Sequence, residues 1–375
     1  TTANCSFRSK IAWLLTWTCW REGWAHLLFV VMVLSAISSK LEALSRSLDE
    51  RVNLKHAHRK MQAVAKVLIV TTFVEDALRV LLTFSVQQNS MRIAGWQSPV
   101  LHTGLPIFSF VVQMGGALMV GLPGGTSGRA QAGVITLLGW CMFHPIMYRQ
   151  ETNWEFVLET LTIMGGLLIL LSSLMLEEAS RLARIESGGS GPAKILPAKA
   201  VGPAGGLDNP AAARAHSLQA FGRVLMMSVF LYYAFNHVHD YAPHALSSLQ
   251  HYDWGTPLLE LVMIIVLLCM CSLVIIGIKS RWVALLLAII MALSACWMHP
   301  FWIYMFSTKH YRMEGVAHME GAEVDAFTMG DHQRYFFFQT MSTVGALLLL
   351  VVHGPGKLSM DEQQGQLVLI TTHDA

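Results

Sequence analysis

Three charged residues inside an otherwise apolar stretch set the first chemical question. Glu75, Asp76 and Arg79 fall within Met61–Ser85. On a helix, Glu75 and Arg79 are four apart, so they share a face and can pair. A charge at membrane depth is costly and by default marks a functional site. The triad lies in the last two turns of its stretch, which equally suits a structural ion pair that locks this helix against its neighbours. A proton relay would need acids on more than one helix. Glu159 and Glu260 are the acids available elsewhere, and Gln113 joins them as a candidate for a connected polar transport site.

The histidines raise a second possibility. His237 and His239 are two apart, with Asp240, His244, His251 and Asp253 following. Residues two apart diverge on a helix but converge on an extended loop, where a metal site is conceivable. The plainer expectation is a polar loop without metal. His144 and His299 each precede a proline and read as a shared structural turn. There is no Cys-x-x-Cys pair and no haem attachment motif, and Cys5, Cys19, Cys141, Cys269, Cys271 and Cys296 form no ligand framework. No phosphate loop or nucleophile elbow is present either. The expectation is a protein that is not an enzyme and takes no cofactor.

The elements that would position these residues are membrane helices. Of the 375 residues 54% are hydrophobic and 13% charged, against roughly 25% charged in a soluble domain. A bilayer core needs about 20 mainly apolar residues per helix. Eight stretches come close: Met61–Ser85, Val100–Leu122, Gln131–Met147, Glu155–Leu176, Leu218–Phe235, Pro257–Ile278, Trp282–Phe306 and Tyr335–His353. An N-terminal block, Ile11–Ser38, is broken by Arg21 and Glu22, and its second part, Trp24–Ser38, reads as an extra helix. The chain opens on Thr1 rather than Met, which fits a processed or incomplete sequence. Net charge is +2, which gives no general case for nucleic-acid binding.

The segment Glu177–His216 is rich in Gly and Pro and reads as a linker that divides the eight helices four and four. The halves resemble each other. Gln62-Ala63-x-x-Lys66-Val67-Leu68 parallels Gln219-Ala220-x-x-Arg223-Val224-Leu225, and each second helix follows a proline, Pro99 or Pro257. Each third helix ends in His-Pro, and Thr160 to Gly165 parallels Thr340 to Gly345. The fold expected is therefore all-α: a polytopic transmembrane bundle of two parallel four-helix repeats plus an extra N-terminal helix. The divisions are an extension over residues 1–60, a first repeat over 61–176, a linker over 177–217, a second repeat over 218–353 and a tail over 354–375. Gly115-Gly116, Gly165-Gly166 and Gly345 read as close helix contacts.

The loops set orientation. With Ile11–Ser38 counted as one span, the side holding residues 40–60, the linker, Lys279, Arg281 and the C-terminus collects 15 Lys and Arg, and the other side seven. The positive-inside rule makes the first side cytosolic. The opposite face receives a loop bearing His237, His239 and Asp240, and an acidic loop bearing Glu314, Glu320, Glu323, Asp325 and Asp331. Asn4-Cys5-Ser6 on that side fits the glycosylation pattern.

At this point particular words resemble a known family. Thr71-Thr72-Phe73-Val74-Glu75-Asp76-Ala77-Leu78-Arg79 is similar to the opening helix of the surfeit-locus-four family of cargo receptors. Gly222-Arg223, Gly277-x-Lys279-x-Arg281 and Phe301-Trp302 follow in the family's order. Tyr335-Phe-Phe-Phe-Gln339-Thr340-Met341-Ser342-x-x-Gly345 and Gly354-Pro355-Gly356-x-x-Ser359 complete the resemblance, which spans roughly Met61–Glu362 within a wider DoxX-like group. It implies a receptor of the endoplasmic reticulum and Golgi that binds soluble lumenal proteins and links them to vesicle coat components. The chain departs from the family pattern in its N-terminal block, its long linker and the absence of a lysine-rich retrieval signal from Gln366–Ala375. Those departures favour the alternative of a non-catalytic subunit beside neighbouring subunits of a photosynthetic or respiratory complex, in a thylakoid or mitochondrial inner membrane.

Overall fold

Helix starts follow local chemistry in the computed structural model, which describes residues 54–122, 126–186, 210–236, 255–312 and 323–360. The N-terminal helix expected at Trp24–Ser38, the linker interior and the end of the tail lie outside the described residues. The chain divides into two units at Lys60. Of the first, Thr1–Lys60, only the opening turns of a long helix are described. That helix, α1 (Leu54–Leu82), is followed by a short α2 (Phe84–Ile93) that the sequence reading did not separate. Pro99, at the first position of α3 (Pro99–Gly121), has no N–H to leave unpaired there. The Thr126 side chain accepts from the Arg129 N–H to cap α4 (Ser127–Met147). Next come α5 (Trp154–Glu186) and α6 (Pro210–Met226), which passes a turn at Met227 and runs on to Asn236. Helices thus occupy both ends of the segment assigned to the linker.

The second half continues with α7 (Gly255–Ile276), α8 (Ser280–Met298) and a short α9 (Phe301–Tyr304). A two-stranded antiparallel hairpin, β1 (His310–Arg312) and β2 (Glu323–Asp325), leads into α10 (Ala326–His353). The apolar pattern alone places the start of the last helix at Tyr335. It begins nine residues earlier because Asp325 caps it, accepting from the Thr328 N–H at 3.3 Å. Pro145, expected to end a helix, instead sits inside α4, two residues before its end, whereas α8 does stop before His299-Pro300.

Among the described residues, six helical spans are long and apolar enough to cross a bilayer: α3, α4, α5, α6 with its continuation, α8 with α9, and α10. α7 adds a further apolar helix of 22 residues, which includes Ile264–Ile276. α1 is 29 residues long but carries Lys66, Glu75, Asp76 and Arg79, which lower its apolar character. Large side chains such as Val111, Ile135, Ile290 and Leu293 stand exposed on the flanks. A water-soluble monomer rarely exposes so much apolar surface, while lipid covers it without cost. The protein is an integral membrane helical bundle.

Two helices sit at the centre. Within an apolar stretch of 18 residues in each span, 56% of the residues are buried in α5 and in α10, against 22% in α8. α5 packs on α4, α6 and α10, and α10 also packs on α8. Small residues permit these crossings. A Cβ on Gly165 of α5 would lie 2.6 Å from the Gly222 carbonyl oxygen of α6. A Cβ on Gly345 of α10 would lie 2.8 Å from both the Ala65 oxygen and the Ile69 nitrogen of α1. Gly166 faces Ala346 in the same way, and Gly116 faces Gly133 and Leu137 between α3 and α4; Gly115 points into open space. The pairing inferred from sequence equates Gly165 with Gly345 and Gly222 with Ala65. Under that pairing the crossings fall on equated positions: α5 lies against α6, and α10 against α1.

Candidate functional site

Charge collects at the hairpin end of the bundle, where α1, α3 and α10 meet. Asp76, 4% exposed, is held by the Arg79 guanidinium one turn on and by Gln113 Nε2 of α3 at 2.6 Å. Gln113 Nε2 also donates to Ser109 Oγ at 2.9 Å. The Arg79 guanidinium lies 4.9 Å from the centre of the Tyr335 ring on α10, a cation–π contact. Glu75, 7% exposed, takes a different partner: Arg334 Nε of α10 donates to its Oε1 at 2.9 Å. Arg334 also pairs with Asp331.

The sequence expectation needs correcting here. Glu75 and Arg79 share a face at i,i+4, but the structure pairs Arg79 with Asp76 and sends Glu75 across to Arg334. The reason is tertiary. Gln113 anchors Asp76 on the inner side of α1, which draws Arg79 inward, and α10 brings Arg334 to the remaining carboxylate. Arg334 was missed because it precedes the apolar stretch that begins at Tyr335. Its place one residue before a run of four aromatics was the available signal.

A second polar contact joins the two central helices. Gln339 Nε2 of α10 donates to Glu159 Oε2 of α5 at 3.0 Å, and the Tyr233 hydroxyl donates to Glu159 Oε1 at 3.3 Å. Glu159 therefore does converge with other elements, and two of its partners are the neutral donors Gln339 and Tyr233. The histidine-proline residues lie nearby in matching surroundings. His144 stands 5.2 Å from the Phe156 ring and His299 5.6 Å from the Phe336 ring. Phe156 and Phe336 are again positions that the repeat pairing equates.

The opposite, tail end of the bundle assembles the quoted family words. Arg223 of α6 is 1% exposed and donates from Nη2 to the Leu358 carbonyl at 3.0 Å. Gln219 Nε2, one turn earlier, donates to the Gly354 carbonyl at 2.7 Å. Gly277 has φ +82°, a left-handed conformation that favours glycine, and a Cβ there would lie 2.6 Å from that of Ser359. A Cβ on Gly354, at φ +75°, would sit 2.8 Å from the Arg281 guanidinium. Arg223, Gly277, Arg281, Gly354 and Ser359 come from three separate stretches of the sequence and close one clasp, while Gly222 beside Arg223 serves the crossing with α5. The remaining motif residues hold α10: Ser342 Oγ donates to the Ile69 carbonyl of α1 at 2.8 Å, Thr340 bonds within α10 to the Phe336 carbonyl, and Met341 packs against the core.

Of the expected binding loops, His237, His239, Asp240, Glu314 and Glu320 lie outside the described residues. Glu323 and Asp325 stand exposed on β2, opposite Arg312 and His310 of β1. Hydrogen bonding to Thr328 holds the Asp325 carboxyl below the ordinary carboxylate range. Among the described residues, no group of three His, Cys, Asp or Glu side chains is gathered to hold a metal ion.

Comparison with known proteins decides the kinship. The model of the SURF4 family matches residues 25–194 and 323–366, more than half of the chain. The chain belongs to the SURF4 family. Between those blocks, residues 218–300 match the DoxX family model. A Surfeit locus protein 4 homolog from Drosophila melanogaster is 23% identical over 88% of this chain and 98% of that protein. The Schizosaccharomyces pombe homolog of the same name is 25% identical over 81% of this chain and 82% of its own length. The ER-derived vesicles protein ERV29 of Saccharomyces cerevisiae is 24% identical over 80% of this chain and 76% of its length. No solved structure matches. The two SURF4 blocks carry the two partners of the charge cluster, Glu75 on α1 and Arg334 on α10, and the intervening DoxX block carries Arg223 and Gly277 of the clasp.

Proposed function

We propose that this protein is a cargo receptor of the early secretory pathway, which collects soluble lumenal proteins into vesicles leaving the endoplasmic reticulum and engages coat components on its cytosolic side. Membership of the SURF4 family carries this reading, and the name of the yeast relative, a protein of vesicles derived from the endoplasmic reticulum, points to the same membrane. The orientation fits: the positive-inside rule puts the clasp and linker in the cytosol and the hairpin with Glu323 and Asp325 in the lumen. Exposed carboxylates on a short hairpin can meet basic or polar cargo segments without entering the bilayer. The role is one of binding and carriage, with no chemical step.

The test removes the protein from its own cells and follows newly made secretory proteins by pulse–chase and quantitative mass spectrometry of the medium. A subset of soluble proteins should be delayed several-fold inside the endoplasmic reticulum and should cross-link to the receptor. Normal secretion, together with co-migration of the chain at fixed stoichiometry in a photosynthetic or respiratory complex, would replace this reading with that of a structural subunit.

A further inference from the structure

A groove of about 210 Å3 opens between α1 and α10, lined by Thr71, Val74, Glu75, Leu78, Leu82, Arg334 and Phe338. It lies on the flank of the bundle, since Leu78 and Leu82 are 43% and 73% exposed. Its walls are apolar except at one place. Glu75 is 7% exposed, and while Oε1 accepts from Arg334, its buried Oε2 has no hydrogen-bond donor among the described residues. A buried carboxylate oxygen without a donor is expensive, so such an atom needs an explanation. Charge points the same way. In this cluster the three carboxylates of Glu75, Asp76 and Asp331 face the two guanidiniums of Arg79 and Arg334.

We propose that this groove binds the headgroup of an aminophospholipid of the phosphatidylethanolamine class, its ammonium donating to Glu75 Oε2 and its phosphate facing Arg334. Three features select this occupant. The vacant partner must be a donor and preferably a cation, because the carboxylates outnumber the guanidiniums. The groove opens on the flank of a membrane protein, where bilayer molecules are the available ligands. The depth also suits a headgroup. Arg334 lies eight residues into α10, roughly 12 Å from its start at 1.5 Å per residue, near where so long a helix enters a hydrocarbon core about 30 Å thick. Arg334 is 29% exposed and uses only two of its donor groups on Glu75 and Asp331, which leaves N–H groups for a phosphate. Thr71, Val74 and Phe338 then line the path of an acyl chain. A volume of about 210 Å3 falls below that of sites for drug-sized ligands, which fits a headgroup whose tails remain in the bilayer.

The proposal separates ethanolamine from choline lipids, because only a primary ammonium has N–H bonds to donate. The full chain is purified in mild detergent, exchanged against equimolar phosphatidylethanolamine and phosphatidylcholine, washed, and the retained lipid is counted by mass spectrometry. Wild type should keep about one phosphatidylethanolamine per chain. Glu75→Gln should lower that retention roughly ten-fold, the loss expected from one charge-assisted hydrogen bond. Leu78→Trp obstructs the groove from its exposed rim and leaves both ion pairs intact, so it should lower retention while elution and melting stay as in wild type. Equal retention of the two lipids by wild type would overturn the proposal. So would undiminished phosphatidylethanolamine on Leu78→Trp, which would place the lipid elsewhere. This outcome is independent of cargo export.

Discussion

The two ends of this bundle are held by different kinds of force. At the hairpin end, five charged side chains and Gln113 settle one another inside a largely buried cluster. At the tail end, Arg223 and Gln219 reach backbone carbonyls, and the fit depends on glycines in left-handed conformations. The first arrangement depends on ion pairing and the second on shape. Their sequence signatures differ accordingly. A charge cluster announces itself by residue type, whereas a shape-matched clasp is visible only once its distant pieces are brought together.

Substitutions can break that contrast, the largest effect coming first. Asp76→Leu leaves the largely buried Arg79 without its carboxylate, a loss of about 3 kcal/mol, the lower end for a buried pair that loses one partner. The double variant Asp76→Leu/Arg79→Met removes both charges and should recover most of that loss. Thermal melting in detergent reads both, and a double variant as unstable as the single one would mean that the pair does more than neutralise itself. At the tail end, Gly277→Ala places a side chain at φ +82° against Ser359. A cost of about 1–3 kcal/mol is expected from the backbone strain alone, and no change of charge elsewhere should relieve it. The smallest effect belongs to the contact between the central helices. A double-mutant cycle of Glu159→Leu and Gln339→Leu should give a coupling of about 0.5–3 kcal/mol. A coupling indistinguishable from zero would remove Glu159–Gln339 from the interactions that hold α5 to α10.

Much of this was legible in the sequence, for identifiable reasons. Apolar length marked the helices. Glycine at Gly165 and Gly345 marked real crossings, because a small residue in a long apolar helix has few other uses. What the sequence concealed was partner choice. Asp76 and not Glu75 took Arg79, because the decision was made by Gln113 on α3 and Arg334 on α10, residues 37 and 259 positions from their carboxylates. The early start of α10 was hidden for a similar reason: Asp325 caps polar turns that carry no apolar signal. Arg223 showed the opposite pattern. It was noted as part of a word, but its burial and its reach to Leu358 required the folded tail.

The reciprocal crossing of helices has a consequence for biosynthesis. Ser342 of α10 closes on Ile69 of α1 across a separation of 273 residues, and Gly345 packs on the same helix. The face of α1 that will receive them is made early and waits until the last helix has been made. During that interval it needs a temporary cover, such as lipid, the insertion machinery or a chaperone. A chain stalled before α10 would expose Ala65 and Ile69 to whatever helix arrives first. Quality control that recognised this one face could therefore tell a finished molecule from an unfinished one.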